Sequence, residues 1–261
     1  MLKIALFQTE LFWADAEANR EKFTALFDHV KDKAKVYVLP EMFSTAFCTD
    51  PKDVAETMNG PTHEWMKAQA NKHKVAIAGS IVIRENGKYL NRFLWVNPNG
   101  KTFTYDKKHL FSLGEENRDY SPGEGVITIE FEGWRIRPMI CYDLRFPVWT
   151  KNGYKNGSFE YDLLLYVANW PAARSYQWRQ MLISRAIENQ SYVAAVNRVG
   201  SDENGWEFNG QSLAVDPLGE FIIKPDDKTD RIAIAGFDLD KLKHYRNRFP
   251  VARDWDRFEV T

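Results

Sequence analysis

The strongest constraint on the fold is a recurrence of short β-rich runs with only a few helical stretches between them. The runs begin with KIALFQ (3–8), KVYVLP (35–40), KVAIAGSIVI (74–83), YLNRFLWVN (89–97) and KTFTYD (101–106). They continue with GVITIEF (125–131), RIRPMIC (135–141), DLLLYVAN (162–169), SYVAAVNRV (191–199), QSLAVDP (211–217) and RIAIAGFD (231–238). Val, Ile, Phe and Tyr enrich several of them, as a pleated and partly buried surface requires. Others are nearly continuous in apolar residues, the pattern of strands covered on both faces.

Helical periodicity appears between them. Phe23, Leu26, Phe27 and Val30 share one helix face, with Asp15 upstream as an N-cap. Residues 62–73 read as a second helix. Trp178, Met181, Leu182 and Ala186, with Ser175 as a cap, predict a third. The first and third stripes read as core packing. Asn86–Gly87 and the NPNG at 97–100 predict hairpin turns. This mixture predicts an α/β domain in which helices cover sheets. No linker or low-complexity segment interrupts the chain. One domain over residues 1–261 is expected, with the aromatic and charged segment 245–261 as a C-terminal tail that packs on its own domain or on a partner subunit.

Composition narrows the class. A chain of 261 residues with 44% hydrophobic and 14% aromatic content can build a large core, which excludes a disordered binding segment. The formal charge is −1 and no Lys/Arg run stands out, so nothing points to nucleic acid. Two cysteines cannot build a disulfide framework, and a reducing cytoplasm is the expected setting. The N-terminal MLKIALFQTELFW reads as a first buried strand rather than a signal peptide. No apolar stretch reaches the roughly 18–20 residues of a membrane helix. The histidines offer no close pair of metal-ligand spacing, so no metal is expected.

The stretch RPMICYDLRFP (137–147) places Cys141 where an apolar strand ends and a charged turn begins, ahead of a helix expected near Arg145–Pro147. A thiol there would feel the positive end of a helix dipole. Alone, it also fits a small core residue. VLPEMFS (38–44) puts Glu41 just past another strand, where an ordinary loop glutamate would also fit. YDKKHLF (105–111) puts Lys107 at a third strand end, where a solvated doublet with Lys108 is the plain alternative. Strand ends are where α/β sheets gather their sites. The three types also complete a chemistry: a thiolate attacks a carbonyl, a carboxylate moves protons, an ammonium stabilises the oxyanion.

In chain order, FQTELFW, LPEMFS, YDKKHLF, ENRDYSPG, CYDLRFP, VANWP, SRAIENQSYVAAVNRVG and GQSLAVDPLGE resemble the nitrilase superfamily of carbon–nitrogen hydrolases. CYDLRFPVW, VANWP and AIENQ further resemble its omega-amidase branch. The resemblance implies a four-layer α-β-β-α sandwich and a Glu41–Lys107–Cys141 triad, with Lys107 preferred to Lys108. It also implies a supporting Glu116, preferred to Glu115. The implied activity is hydrolysis of the terminal amide of 2-oxo acid amides such as 2-oxoglutaramate and 2-oxosuccinamate, through a cysteine thioester and without a cofactor. The Tyr142 backbone N–H would join Lys107 at the oxyanion. Arg145 and Arg174 could receive a substrate carboxylate, although pairing with Asp143 is the plainer expectation for Arg145. Phe43 and Trp170 could wall the pocket, or simply pack in the core. His109 and Asp143 read as structural, and Asp106 departs from the family pattern without needing to touch substrate. A homodimer or larger homo-oligomer is expected. Hydrolysis of other small amides or N-carbamoyl amines, and an inactive relative that only binds, are the alternatives.

Overall fold

The computed structural model describes residues 1–227 and 229–256. In chain order the first strands are β1 Leu2–Gln8, β2 Val36–Val38, β3 Ala76–Glu85, β4 Lys88–Val96, β5 Thr102–Asp106, β6 Ile129–Phe131, β7 Trp134–Ile140 and β8 Tyr154–Lys155. They are followed by β9 Ser158–Phe159, β10 Leu163–Ala168, β11 Tyr192–Asn197, β12 Val199–Ser201, β13 Glu207–Asn209, β14 Leu213–Val215, β15 Phe221–Ile223 and β16 Arg231–Phe237. The helices are α1 Ala16–His29, α2 Pro61–His73, α3 Glu116–Asp119, α4 Pro147–Thr150, α5 Ser175–Glu188 and α6 Leu239–Arg248. Each β-rich run read from the sequence contains a strand.

Two six-stranded sheets form the centre, in the orders β16-β1-β2-β3-β4-β5 and β15-β14-β11-β10-β7-β6. In the first, β1, β2 and β3 run parallel; in the second, β7, β10 and β11 do. The period of two along a strand sorts the side chains of β1. Leu2, Ile4 and Leu6 enter a core shared with Met139, Leu165 and Val193 of the second sheet. Ala5 and Phe7 face the other way, onto Phe23 and Phe27 of α1 and Met66 and Ala70 of α2. Trp178, Leu182 and Ala186 of α5 belong to the core of the second sheet. The layers therefore run α-β-β-α.

Local chemistry explains the joins. Asp15 caps α1, its Oδ1 accepting the Ala18 N–H at 3.0 Å. Asn86 (φ 49°) and Gly87 (φ 75°) close the β3–β4 hairpin with two positive φ angles, which suits an Asn-Gly pair. Ser175 does not cap α5. A 3-10 turn at Ala172–Arg174 precedes the helix, Arg174 holds the cap position, and the Ser175 hydroxyl donates back to Ala172 O at 2.7 Å. The helix expected after Cys141 is also shorter: Cys141–Arg145 form a 3-10 turn and α4 is a single turn. No long helix dipole therefore points at the thiol.

The segment set apart as a tail starts inside α6, because Tyr245–Arg248 continue its hydrogen-bonded turns. Beyond it, Trp255 packs edge-on against Phe159 and under the Lys151 ammonium, on the chain's own domain. Residues 257–261 lie outside the described residues. Among the described residues, no helix is long and apolar enough to cross a membrane.

Candidate active site

Three strand ends and one helical turn bring four side chains together. Glu41 follows β2 by three residues, Lys107 follows β5, Cys141 follows β7, and Glu116 opens α3. Glu41 and Glu116 are 0% exposed and Lys107 is 1% exposed, so the cluster is shut off from bulk solvent. Lys107 Nζ lies 2.8 Å from Glu41 Oε1 and 3.1 and 2.9 Å from the two Glu116 oxygens. Buried charges persist only when paired and hydrogen-bonded in this way. Burial opposes the Lys107 ammonium, but the Glu116 and Glu41 carboxylates outweigh it and hold its pKa above the ordinary lysine range. Burial raises the Glu116 carboxyl against the pull of Lys107, and the Glu41 charge adds to the rise. Lys108 instead lies over Trp149, and Glu115 is exposed and pairs with Arg118.

Cys141 sits at φ +41°, a left-handed conformation that costs a residue with a Cβ of the order of 1–3 kcal/mol. Asp143 holds that turn. Its fully buried carboxylate accepts the Ile140 N–H, the His109 N–H and Nδ1, and the Tyr105 hydroxyl at 2.7–3.1 Å. The thiol lies 3.8 Å from Asn169 O. Burial pushes its pKa well above the ordinary thiol value, Glu41 pushes it further, and Lys107 opposes both. Burial and the neighbouring Glu41 thus both favour the protonated sulfur.

Above this floor is a cavity of about 270 Å³, room for one small molecule, with Cys141, Lys107 and Asn169 among its lining. Its walls include Phe47, Phe111, Tyr142 and Trp170, and its far side is the β12–β13 hairpin with Trp206. Arg145 and Arg174 both line it. Arg145 lies 4.9 Å over Trp170, and Arg174 lies between Phe111 and Trp206 at 5.5 and 5.1 Å. Arg174 Nη2 is buried without a hydrogen-bond partner among the described residues. Burial lowers the Arg174 pKa, and the Arg145 charge lowers it further. Two cations thus share one small cavity and repel each other. Among the described residues, no group of His, Cys, Asp or Glu is arranged to hold a metal ion.

Comparison with known proteins fixes the family. The carbon-nitrogen hydrolase family model matches residues 3–247. The chain belongs to that family. The hydrolase is 41% identical to the omega-amidase YafV of Escherichia coli K12, over 99% of this chain and 98% of the relative. It is 32% identical to a 2-oxoglutaramate amidase of Bacillus subtilis, over 96% of each chain. A crystal structure of a CN-hydrolase superfamily protein from Xanthomonas campestris, with an arsenic adduct in its active site, superposes with a TM-score of 0.97. That protein is 39% identical, and the match covers 100% of this chain and 99% of that one. The hydrolase is an enzyme that acts on carbon–nitrogen bonds of amides.

Two expectations about the hydrolase's pocket are corrected by the geometry. Phe43 does not line the cavity. It is fully buried on the helix side of the first sheet, edge-on to Phe23 at 5.6 Å and near Trp65 at 5.9 Å. Gly79 makes that room, since a Cβ there would stand 2.8 Å from the Phe43 ring. Phe47, four residues on, takes the wall position. Arg145 does not pair with Asp143, whose oxygens are taken by His109, Tyr105 and Ile140. Trp170 lines the cavity, its Nε1 donating to Arg174 O at 2.8 Å. Asp106 forks onto Arg92 at 2.6 and 2.9 Å.

Sequence reasoning missed Asn169 and Asn91. The Asn169 N–H donates to Glu41 Oε2 at 2.8 Å, and its side chain donates to Glu41 O at 2.6 Å. Asn91 reaches both glutamates. The signal in each case was a polar residue in or just after an apolar strand, in YLNRFLW and YVANWP.

Proposed function

We propose that the hydrolase cleaves the terminal amide of 2-oxo acid amides, such as 2-oxoglutaramate and 2-oxosuccinamate, to the 2-oxo dicarboxylate and ammonia. The observation that carries the substrate class is the Arg145–Arg174 pair: two guanidinium groups line one cavity, while the acids on its rim are engaged elsewhere, Glu115 by Arg118 and Asp202 by the Asn204 and Trp206 N–H groups. A small amide with a carboxylate at its far end satisfies both cations and presents its amide to Cys141. An amino acid amide such as glutamine brings an ammonium beside the arginines and is disfavoured. The relatives named as omega-amidase and 2-oxoglutaramate amidase support the same class.

In this reading Glu41 takes the Cys141 proton as sulfur attacks the amide carbon. The carbonyl pair moves onto oxygen, which is stabilised by Lys107 and the Tyr142 N–H. With Glu116 accepting one Lys107 N–H as a fork, a further N–H remains for that oxyanion. The intermediate collapses, Glu41 returns its proton to the departing nitrogen, and ammonia leaves a thioester. Water then gives a proton to Glu41, attacks the thioester, and the released sulfur recovers the proton.

Ammonia release from 2-oxoglutaramate tests this, with glutamine, plain aliphatic amides and N-carbamoyl amines alongside and Cys141→Ala as control. Preference for the 2-oxo acid amide, lost in Cys141→Ala, is expected. Cys141-dependent activity confined to the other compounds overturns the substrate class. Cys141-independent activity overturns the mechanism.

A further inference from the structure

Asn91 lies within β4, behind the glutamates, and is itself 1% exposed. Its backbone carbonyl accepts the Lys107 N–H at 3.0 Å. Its side-chain Nδ2 lies 2.8 Å from Glu41 Oε1 and 3.1 Å from Glu116 Oε1. Its Oδ1 is buried without a hydrogen-bond partner among the described residues. An asparagine amide has two N–H donors on one nitrogen. Here one goes to each carboxylate, at the expense of the acceptor. Rotating the amide would set Oδ1 against two carboxylate oxygens, so the surrounding negative charge fixes its orientation.

Counting lone pairs on Glu41 shows what this achieves. Oε1 accepts from both Lys107 and Asn91 at 2.8 Å, which fills it. Oε2 accepts from the Asn169 N–H and keeps one site open. We propose that Asn91 is a positioning residue, a neutral double donor that ties one oxygen of each buried glutamate and directs the proton moved during amide hydrolysis to Glu41 Oε2. This rests on the reading of Glu41 as the proton carrier. A neutral donor suits the task. A second ammonium would hold the carboxylate too firmly to accept a proton, and a carboxylate would crowd a third anion into the cluster. The titratable groups facing the pair are Lys107 after β5, Cys141 after β7 and Tyr120 after α3.

The test uses Asn91→Leu and the isosteric Asn91→Asp beside the wild type, with two pH profiles for each. One profile is hydrolysis of 2-oxoglutaramate and the other is alkylation of Cys141 by iodoacetamide. Losing both donors disfavours the ionised glutamate pair, so the acidic limb of the hydrolysis profile moves to higher pH, while alkylation, which follows a thiolate that the Glu41 charge opposes, does not fall with it. A move of one unit reads as an about tenfold loss on the acidic side that vanishes on the alkaline side. Asn91→Asp keeps the volume of the side chain and moves the hydrolysis limb in the same direction, and it decides the matter where Asn91→Leu does not fold. A folded variant whose loss is uniform across pH, or whose alkylation falls in step with hydrolysis, overturns the proposal. The hydrolysis profile is read on whichever amide the wild type hydrolyses through Cys141, so a wild type inactive on 2-oxoglutaramate counts against the substrate class and leaves this test intact.

Discussion

His109 Nδ1 lies 2.8 Å from Asp143 Oδ1, with the imidazole stacked on Phe146 at 3.6 Å and 7° from parallel. That contact occupies the carboxylate that stands two residues from both Cys141 and Arg145. It steadies the strained nucleophile turn and leaves Arg145 to face the cavity. Asp143→Ala takes the acceptor from the Ile140 N–H, the His109 N–H and the Tyr105 O–H, at about 1–3 kcal/mol for each buried donor left unsatisfied. Urea unfolding should show that loss, and kcat should fall with it because Cys141 is no longer held at its positive φ.

Arg145→Met and Arg174→Met each remove one cation from the cavity. For a carboxylate-bearing amide, kcat/KM should fall about 10–100-fold, the worth of a hydrogen bond to a charged group. For a neutral aliphatic amide it should change little. Equal losses on both substrates would mean that the arginines shape the pocket and do not read a carboxylate.

Lys107→Met leaves two buried carboxylates with no cation, which should cost about 3–5 kcal/mol near neutral pH. The sign of the pH dependence follows from Glu116. Its carboxyl already binds a proton more tightly in the folded state than an ordinary carboxyl does, and losing the ammonium tightens it further. Stability carried by a raised carboxyl falls as pH rises from the unfolded value of about 4.3 through the folded one. The variant should therefore recover part of its loss on acidification, as measured by denaturant titration at two pH values. Its hydrolysis rate should drop by about 10²–10³, the usual cost of an oxyanion donor.

Glu41→Gln separates ionising the thiol from using it. The Cys141 pKa is raised by burial first and by the Glu41 charge second. Removing the charge leaves the burial. The thiolate ultraviolet absorbance, read against Cys141→Ala, should therefore titrate at lower pH than in the wild type, yet still above an ordinary thiol. Turnover should vanish although thiolate forms more easily. An unmoved titration would mean that the carboxylate does not sense the sulfur.

Most of the fold was legible because burial on both faces writes itself as unbroken apolar strands, as in LLLYVA of β10. The β12–β13 hairpin was not legible. Its tip, SDENGW, is polar, and short strands with exposed residues carry no periodicity. The positions of Glu41, Lys107, Glu116 and Cys141 could be found from motif order and strand ends. Their mutual distances could not. Phe43 and Phe47 look equivalent in PEMFSTAF, and only the space left by Gly79 sends the first ring into the core. Arg145 was read as a partner for the near acid, Asp143, because sequence shows neighbours and hides the more distant His109. Asn91 escaped notice because one polar residue in a strand is ordinary until two carboxylates are found against it.

The hairpin that carries Trp206 has a consequence for how such an enzyme changes over generations. The groups proposed for the chemistry stand on strand ends locked between two sheets, where almost any substitution disturbs packing. The wall opposite them is a short surface ribbon whose tip is exposed and meets the rest of the site chiefly through Trp206, against Arg174 and Phe111. Mutations there can exchange one set of acceptable amides for another while bond cleavage continues, so what the enzyme selects is free to drift on a far shorter leash of structural cost than how it cuts.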